Sequence, residues 1–515
     1  AYDAKVNIDD VFTQVRMWDV IIHNHLWDRK IAVPAKGGGK KEGAYEGAYV
    51  KTPQVGGHDW VLSFDLNSLY PHLIMQYNIS PETLVKRVNA WPTIDELLTG
   101  LINTEDLDPD KQYAFTANGC MFRKDKQGFL PALMEKMYND RVKYKQMMLD
   151  AKKQYEEKPT EELTKLIARY HNMQMAKKIQ LNSAYGALGN KYFRWFNFDL
   201  AESITTSGQL SIRWIERKVN KFLNEYIQTD GVDYIIASDT DSLYVSMDAF
   251  VKKSVGESSS HNPDKQKKIT KMLDRFCEQI VQPYLDKCYQ ELADYMNAYA
   301  QKMKMKRETI ASKGIWRKKK MYILNAWNVE GVQYNEPKLK INGIEAVRSS
   351  TPRACREAIK KSLSIIMNGG EQELRDYVAK VKEEFMGLPY EDIAFPRGMN
   401  GLNEYSNEVT LYNKGTPIHV KGALIFNHML KVKGVKSIPP IKDGDKIKFC
   451  YLKMPNPYGF TVIATADEIP SEFEIDRFID REKQFDKGFL EPLKSISDLI
   501  GWDLQTENTI DAFFA

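Results

Sequence analysis

The sequence predicts an α+β fold, in which long helices alternate with short apolar strands. Residues 60–64 form an apolar run typical of a buried strand, and two further apolar runs flank a turn between residues 234 and 247. Residues 131–156 and 161–189 have the length and composition of two long helices. The short break at 158–160 between them predicts an antiparallel helical hairpin. A chain of 515 residues is long enough for several domains or subdomains.

Local signals set the bounds of the other elements. Thr160 is expected to cap the second long helix, because glutamates follow it where the helix end is positive. A further helix covers roughly 202–226, with apolar side chains on one face. Residues 249–300 are polar and helical in character, and the last 170 or so residues alternate helical stretches with loops punctuated by Pro and Gly.

The composition narrows the classes of function. With 43% hydrophobic and 28% charged residues, and with no long apolar run, the chain reads as soluble and without a membrane span or signal peptide. Five scattered cysteines without a C-x-x-C pair argue against a disulfide framework or structural zinc and fit a reducing cytoplasm. The net charge of +4 does not by itself imply a polyanionic partner, so any nucleic-acid site must be local.

Three aspartates are candidates for metal binding. Asp239 and Asp241 stand two apart in the turn between two strands, so in an extended chain their carboxylates point to one side. Such close like charges favour a neutralising cation, and their hard oxygens suit Mg²⁺. Asp65, at the end of a separate strand, could complete a two-metal site. The alternative is an ordinary turn, in which Asp and Thr are common.

The turn after Asp65 is a candidate phosphate site. Residues 66–71 lead into a helix, with Pro71 suited to its first turn. Free backbone N–H groups at such a turn form an anion cradle for the β- and γ-phosphates of a nucleotide. The alternative is a strand–helix connection that binds nothing.

Polar side chains form a stripe on each helix of the hairpin. The stripes are Arg141 and Lys145 on the first helix, and Gln174, Lys178, Asn182 and Tyr185 on the second. An antiparallel hairpin brings them together as a clamp for a triphosphate, with the tyrosine placed to stack on a base. A solvated charged face is the alternative. It accounts poorly for the small residues at 186–190, which permit the close approach of another group to the helix end.

Residues 302–320 carry nine basic residues and one acid, Glu308. This local excess is larger than the net charge of the whole chain. Trp316 and Tyr322 lie within or beside the segment, so it is predicted to follow a nucleic-acid phosphate backbone. A solvated surface strand is the alternative.

Together these segments resemble the family B (α-like) DNA polymerases, most closely their T-even-like bacteriophage branch. The resemblance rests on motifs in the family's order along the chain. They are Tyr45-Glu46-Gly47-Ala48 (Y-x-G-G/A), Asp65-Leu66-Asn67-Ser68-Leu69-Tyr70-Pro71 (D-x-x-S-L-Y-P), Lys178 to Gly186 (K-x-x-x-N-S-x-Y-G), Asp239-Thr240-Asp241-Ser242 (D-T-D-S) and Lys319-Lys320-Met321-Tyr322 (K-K-x-Y).

The resemblance implies a right-hand fold with an antiparallel-sheet palm, helical-hairpin fingers and a mainly helical thumb. The implied divisions are a remnant of an N-terminal domain or linker at 1–36, palm at 37–127 and 191–344, fingers at 128–190, and thumb at 345–515. The implied activity is template-directed transfer of nucleotides from dNTPs to a primer 3′-hydroxyl, in phage replication in the cytoplasm of an infected bacterial host. Two Mg²⁺ ions would serve as cofactors, with Mn²⁺ as a possible substitute.

The resemblance also assigns roles to single residues, which fall into three groups. The catalytic and metal-binding group is Asp65, Leu66, Asp239, Asp241 and Glu308. The nucleotide-binding group is Ser68, Leu69, Tyr70, Arg141, Lys145, Lys178, Asn182 and Tyr185, with Tyr70 as a steric gate under the ribose. The group binding primer–template DNA is Gly186, Asn190, Thr240, Lys319, Lys320, Tyr322 and Lys340.

The chain departs from the family pattern at two points. Ser238 stands where the family usually has Gly before D-T-D-S. The exonuclease domain would precede the equivalent of residue 1, so we expect a polymerase module without its own proofreading. A separate exonuclease chain is a candidate partner.

The sequence also ends in an apolar tail. Residues 508–515 include Ile510, Phe513 and Phe514, which are expected to bind a sliding clamp unless they fold back onto the thumb. Two alternatives to the DNA polymerase remain, a catalytically inactive DNA-binding scaffold and an RNA-synthesising palm polymerase.

Overall fold

The computed structural model describes residues 1, 4–37, 43–256 and 262–504, with the backbone alone at 153, 156 and 157. The strands are β1 (Gly56–Leu66), β2 (Leu84–Arg87), β3 (Tyr113–Phe115), β4 (Cys120–Arg123), β5 (Ile235–Asp239), β6 (Ser242–Ser246), β7 (Met305–Lys318), β8 (Met321–Val329), β9 (Val332–Asn342), β10 (Phe395–Gly398), β11 (Ser406–Asn407), β12 (Leu411–Tyr412), β13 (Lys446–Tyr451) and β14 (Val462–Thr465).

The helices are α1 (Gln14–Trp27), α2 (Leu69–Tyr77), α3 (Ile94–Leu97), α4 (Thr104–Leu107), α5 (Phe129–Glu157), α6 (Glu161–Leu188), α7 (Phe198–Ile227), α8 (Asp248–Val255), α9 (Pro263–Phe276), α10 (Gln282–Tyr295), α11 (Arg353–Asn368), α12 (Glu371–Met386), α13 (Tyr390–Ile393), α14 (Leu402–Tyr405), α15 (Ile418–Val432), α16 (Arg481–Phe485) and α17 (Glu491–Ser497). The mixture of helices and antiparallel strands confirms the predicted α+β class.

A six-stranded sheet in the order β5-β6-β1-β7-β8-β9 forms the centre of the first part of the chain, and each neighbouring pair is antiparallel. Helices α7 to α10 contact its strands. The shared core buries apolar side chains from the sheet and from α1, α2, α7 and α10, among them Trp18, Phe64, Leu73, Ile215 and Leu292. The central position of β1 therefore fixes the end of that strand, at Asp65, inside a large packed core.

The predicted helices and strands around the candidate site are confirmed. Helices α5 and α6 pack against each other as a hairpin, and the Thr160 side chain accepts a hydrogen bond from the Leu163 N–H, as a cap should. Strands β5 and β6 enclose the acidic turn. A second core includes Ile315, Met321 and Ile323 of β7 and β8 and continues from Ile344 through the sheet β10-β13-β14. The predicted mainly helical region after 345 therefore also contains strands.

The first segment is more than a linker, because helix α1 packs into the structure. Trp18 and Ile22 on α1 are almost fully buried in the first core. The Trp18 Nε1–H donates to Ser183 Oγ on α6 at 2.9 Å, and Asp19 pairs with Arg194 at 2.8 Å. Helix α1 thus packs against the C-terminal end of α6 and stabilises that end of the hairpin.

The start of α5 is joined to the end of α2 through side chains. The Gly128 N–H donates to Asn78 Oδ1 at 2.8 Å, and the Phe129 N–H donates to Glu82 Oε1 at 2.6 Å. The Asn78 amide also donates to the carbonyls of Arg123 and Lys126 at 2.7 and 2.8 Å. Asn78 is fully buried and has φ of 58°, a left-handed conformation that Asn tolerates better than most residues. This side chain therefore holds the base of the hairpin.

Asn78→Ala should lower the free energy of unfolding by about 2–4 kcal/mol, because it leaves one buried N–H and two partly buried carbonyls without their partner. The shift in the thermal unfolding midpoint measures the effect. The control is Glu474→Ala, at an exposed residue with φ of 49°, which tests the same backbone conformation without buried hydrogen bonds. Equal shifts for the two variants would contradict this role of the Asn78 side chain.

Candidate functional site

Strand pairing brings Asp65 and the acidic turn together. Asp65 on β1 lies opposite Ser242 on β6 and opposite Lys306 on β7. The Leu66 N–H donates to the Asp241 carbonyl at 2.9 Å, which ties the end of β1 to the turn. The Ser242 hydroxyl donates to Asp65 Oδ1 at 3.1 Å. The two aspartates predicted from separate strands are therefore neighbours.

The turn itself differs from the predicted extended geometry. Thr240 has φ of 60°, so the chain bends between Asp239 and Asp241 instead of running extended through the turn. Asp239 Oδ1 accepts hydrogen bonds from Thr240 Oγ1 at 3.0 Å and from Lys320 Nζ at 2.9 Å. The charge of Asp241 acts on Asp65. Sequence spacing alone did not predict the bend, because the bend depends on the left-handed conformation of Thr240.

Glu308 reaches the same region through a β-bulge. Ser63 pairs with Thr309, whereas the next residue, Phe64, pairs with Arg307, so Glu308 is the extra residue of β7. Its Oε2 accepts a hydrogen bond from Lys340 Nζ at 2.6 Å. The bulge brings the charge of Glu308 close enough to act on both Asp65 and Asp241.

The carboxylates at this site repel one another. Burial, followed by the charges of Asp241 and Glu308, raises the pKa of Asp65 to about 7 against the Ser242 hydrogen bond. Burial and the charges of Asp239 and Glu308 raise the pKa of Asp241 to about 6, although its backbone hydrogen bond opposes the shift. A cation at this position would remove the repulsion.

The donor chemistry fits a hard divalent cation. In the part of the chain that the structure describes, no three Asp, Glu, His or Cys side chains are grouped to hold an ion by themselves. Asp65 and Asp241 supply two partly buried carboxylates, and the carbonyl of Leu66 follows Asp65 directly in the chain. Mg²⁺ is typically bound through one or two carboxylates, with water and substrate phosphate as the other ligands.

The start of α2 forms the second part of the site. Ser68, at the cap of α2, has φ of 47°, and its side chain makes no capping hydrogen bond to the helix. Its hydroxyl instead accepts a hydrogen bond from Arg141 Nη1 on α5 at 3.1 Å. Leu69 and Tyr70 contribute the first backbone N–H groups of the helix. The predicted phosphate cradle and the predicted basic stripe are therefore joined at Ser68 and Arg141.

Aromatic rings line the same region. The rings of Tyr70 and Tyr185 have their centroids 4.6 Å apart. Burial and a hydrogen bond with Tyr45 raise the pKa of Tyr185. A Cβ atom at Gly208 on α7 would lie 3.4 Å from the Tyr70 ring, so the helix backs that ring closely. Tyr70 is held between α6 and α7.

The other predicted hairpin residues face solvent. Lys145, Lys178 and Asn182 are exposed, whereas Gln174 is buried. The structure shows a further cation that the sequence patterns did not single out, since Lys177 is buried and pairs with Asp140 across the hairpin at 3.1 Å.

Small residues at the end of α6 are explained by close contacts, as predicted. A Cβ atom at Gly186 would lie 2.7 Å from the side-chain amide of Gln14, and one at Gly189 would lie 2.7 Å from the Tyr45 hydroxyl. The Gln14 amide donates to the Ser183 carbonyl at 2.7 Å. Asn190 Oδ1 accepts the Tyr192 N–H at 2.9 Å. The group that approaches Gly186 belongs to α1, which no sequence pattern indicated.

The predicted continuous basic track at 302–320 is wrong in part. Most of this segment is β7, a central strand, so its side chains alternate between faces. Four of its cations pair with acids of the chain itself, namely Lys302 with Glu135, Arg307 with Asp274, Arg317 with Glu345 and Lys320 with Asp239.

The basic residues at the β7–β8 turn remain exposed. Lys319 and Lys320 lie in solvent there, and Lys320 has φ of 62°. Tyr322 is 7% exposed, and its hydroxyl lies 2.7 Å from that of Tyr244. Lys340 pairs with Glu308, as described above. The predicted clamp-binding residues Ile510, Phe513 and Phe514 lie outside the described residues.

Comparison with known proteins finds relatives of this sequence. Residues 11–275 match the model of DNA polymerase family B. The chain is 33% identical over its whole length to the DNA-directed DNA polymerase of Escherichia phage RB69 and 32% identical to that of Enterobacteria phage T4, and covers 61% and 62% of them. It is also 33% identical over 37% of its length to DNA polymerase 1 of Pyrococcus abyssi. The chain thus spans about three fifths of its phage relatives. No described helix is long and apolar enough to cross a membrane.

Asp65→Asn should stabilise the protein in the presence of a metal chelator. The folded state holds its Asp65 proton up to about pH 7, whereas the ordinary value is 3.8, so the folded state binds more protons in this window and loses stability as the pH rises through it. The neutral amide removes that loss. At pH 8 we expect a higher thermal midpoint, from a gain on the order of 1 kcal/mol, and a flatter pH dependence.

The control is Asp125→Asn, which loses an exposed ion pair with Arg123 outside the site and should not raise the midpoint. A thermal midpoint of Asp65→Asn below that of the wild type at pH 8 in chelator would contradict the repulsion inferred at this site.

Proposed function

The chain belongs to DNA polymerase family B, and from this premise we propose that it extends a primer 3′-hydroxyl by template-directed transfer of nucleotides from dNTPs. The observation that carries the proposal is the meeting of three elements at one place. The pairing of β1 with β6 brings Asp65 and Asp241 together. The start of α2 follows shortly after Asp65, and Arg141 is hydrogen-bonded to it at Ser68. Carboxylates for metal ions thus adjoin donors for phosphate.

The acidic residues hold the metal ions in this proposal. Asp65 and Asp241, with the Leu66 carbonyl, are the ligands, and Asp239 and Glu308 add negative charge around them. Two bound Mg²⁺ ions, or Mn²⁺ in their place, would lower the pKa of the primer hydroxyl and neutralise the leaving pyrophosphate. The hydrogen bond from Ser242 orients the Asp65 carboxylate. The pairing of β1 with β6 keeps the two carboxylates adjacent before substrate arrives.

The triphosphate is bound between α2 and the hairpin. Arg141 and the backbone N–H groups of Leu69 and Tyr70 face the cradle, and the Ser68 hydroxyl, already bonded to Arg141, lies at its edge. The exposed Lys145, Lys178 and Asn182 contact the outer phosphates. These three side chains are exposed to solvent, so a triphosphate can reach them directly.

Tyr70 and Tyr185 form the floor under the sugar and the base. The Tyr70 ring is held by the Tyr185 ring on one side and approached by α7 at Gly208 on the other, so it cannot easily move away from a 2′-hydroxyl. This favours dNTPs over rNTPs and disfavours the RNA-synthesising alternative. A scaffold that only binds DNA would gain nothing from partly buried carboxylates that repel one another, so these residues also disfavour the scaffold alternative.

In this proposal the chain has a right-hand arrangement. The six-stranded sheet is the palm, α5 and α6 are the fingers, and the region after 345 is the thumb. The duplex is contacted by residues at the ends of the sheet and of the hairpin, which are Gly186, Asn190, Thr240, Lys319, Lys320, Tyr322 and Lys340. Because Tyr322 is buried beside Tyr244, it acts by shaping the surface that Lys319 and Lys320 present.

A sliding clamp is the proposed partner of residues 508–515. The proposal rests on the sequence pattern alone, in which Ile510, Phe513 and Phe514 are the apolar anchors.

Asp65→Asn and Asp241→Asn should each lower the rate of primer extension at least about a hundredfold, because each removes a charged metal ligand. DNA binding, measured by fluorescence anisotropy, should change little. Asp125→Asn, at an exposed ion pair with Arg123, is the control. Extension by either site variant within a few-fold of the wild type would disprove the metal assignment.

Tyr70→Ala should raise the efficiency of rNTP use relative to dNTP use by about tenfold or more, because the ring no longer collides with the 2′-hydroxyl. Tyr70→Phe keeps the ring and is the matched control, for which the ratio should stay at the wild-type value. Primer extension with each nucleotide set gives both efficiencies. An equal ratio in all three proteins would show that Tyr70 is not the gate.

A further inference from the structure

Residues 47–54, here called the edge segment, lie along the free edge of β5. The Lys51 N–H donates to the Ser238 carbonyl at 3.0 Å, and the Gln54 N–H donates to the Ile236 carbonyl at 2.9 Å. The Thr240 N–H, inside the acidic turn, donates to the Tyr49 carbonyl at 3.0 Å. The edge segment is thus bonded directly to the turn that carries Asp241.

Helix α7 contacts the edge segment at three successive points. The Gln209 amide donates to the Gly47 carbonyl at 2.7 Å. The Arg213 guanidinium lies 5.3 Å from the centre of the Tyr49 ring. Glu216 Oε1 accepts a hydrogen bond from Lys51 Nζ at 2.7 Å.

These contacts are in register. Residues 209, 213 and 216 fall within about 60° of one another around a helix, and residues 47, 49 and 51 face one side of an extended chain. The spans also agree, since seven helical residues rise about 10 Å and four extended residues about 13 Å. One face of α7 therefore runs along the edge segment.

The ion pair at Lys51 is largely buried. The side chains of Lys51 and Glu216 are 15% and 14% exposed, and Lys51 Nζ also lies 2.8 Å from Asp233 at the start of β5. Burial acts to lower the pKa of Lys51, but hydrogen bonds with Asp233 and Glu216 outweigh it and raise the pKa. Glu216 Oε2 in addition receives the hydroxyl of the buried Ser238 at 3.4 Å. The residue before the acidic turn thus meets the same carboxylate as the edge segment.

We propose that Lys51 and Glu216 are positioning residues, which hold the edge segment against α7 and so fix the acidic turn relative to Asp65. Neither side chain is assigned a contact with substrate. Helix α7 suits this purpose, because its adjoining face is buried in the first core through Ile212, Ile215 and Val219. Only the kinetic consequence of this inference rests on the proposed function.

The test compares Lys51→Met with Lys51→Arg, which keeps the charge, and with Lys218→Met. Lys218 lies on the same helix and pairs with Glu291 at 2.6 Å, so its variant removes an ion pair that does not touch the edge segment. Hydrogen–deuterium exchange of peptides covering 47–54 and 235–246 is the structural measurement. Primer extension gives kcat, the KM for dNTP and the Mg²⁺ concentration at half-maximal rate.

Lys51→Met should speed exchange in both peptides by about tenfold or more, because the largely buried carboxylate of Glu216 is left without its cation. It should also lower kcat and raise the Mg²⁺ requirement, and Lys51→Arg should restore most of each value. Lys218→Met should leave the exchange of both peptides unchanged. If exchange at 235–246 in Lys51→Met equals that in Lys218→Met, the edge segment does not position the turn.

The experiment also covers failure of Lys51→Met to fold and failure of the wild-type protein to extend a primer. If Lys51→Met does not fold, Gln209→Ala removes one contact with the edge segment, and unchanged exchange in both peptides then overturns the proposal. If the wild-type protein does not extend a primer, the proposed function fails, while the exchange measurement still tests whether Lys51 holds the turn.

Discussion

The antiparallel pairing of β1 with β6 on one side and β7 on the other is the constraint on which the site depends. It sets Asp65 opposite Ser242 and brings Asp241 within one backbone hydrogen bond of Leu66. The bulge on the other side adds Glu308. A shift of one residue in either register would turn these carboxylates to the opposite face of the sheet. The large core around β1 prevents such a shift, because the apolar residues would turn with them.

The same pairing creates a cost that the surrounding structure must offset. Asp65 and Asp241 are partly buried close together, and both have raised pKa values. Two non-glycine residues near these aspartates have positive φ angles. Ser68, three residues after Asp65, has φ of 47°, and Thr240, directly before Asp241, has φ of 60°. Such conformations persist only where neighbouring contacts determine them. Arg141 bonds to Ser68, and Tyr49 accepts the N–H of Thr240, so each strained residue has a partner outside its own element.

Local sequence signals predicted the elements well, and contacts between distant residues could not be predicted in the same way. Thr160 caps its helix because capping needs only the next three residues. The bend at Thr240, by contrast, follows from bonds to Tyr49, which is far away in sequence. The basic run at 302–320 illustrates the same limit. Its charges are visible in the sequence, but the acids that engage Lys302, Arg307 and Arg317 come from other elements. The packing of α1 against Ser183 likewise has no local signature.

The anchoring of the helical hairpin at its base has a mechanical consequence. Helix α5 has 29 residues and is about 43 Å long, and it is fastened at its first turn by Asn78 and Glu82. Helix α6 is held near its C-terminal end, where Trp18 and Gln14 donate hydrogen bonds to Ser183. The hairpin is therefore a lever with its fulcrum at one end. A rotation of about 10° at the fulcrum displaces the far tip by about 7 Å, whereas Arg141, less than halfway along, travels only about 3 Å.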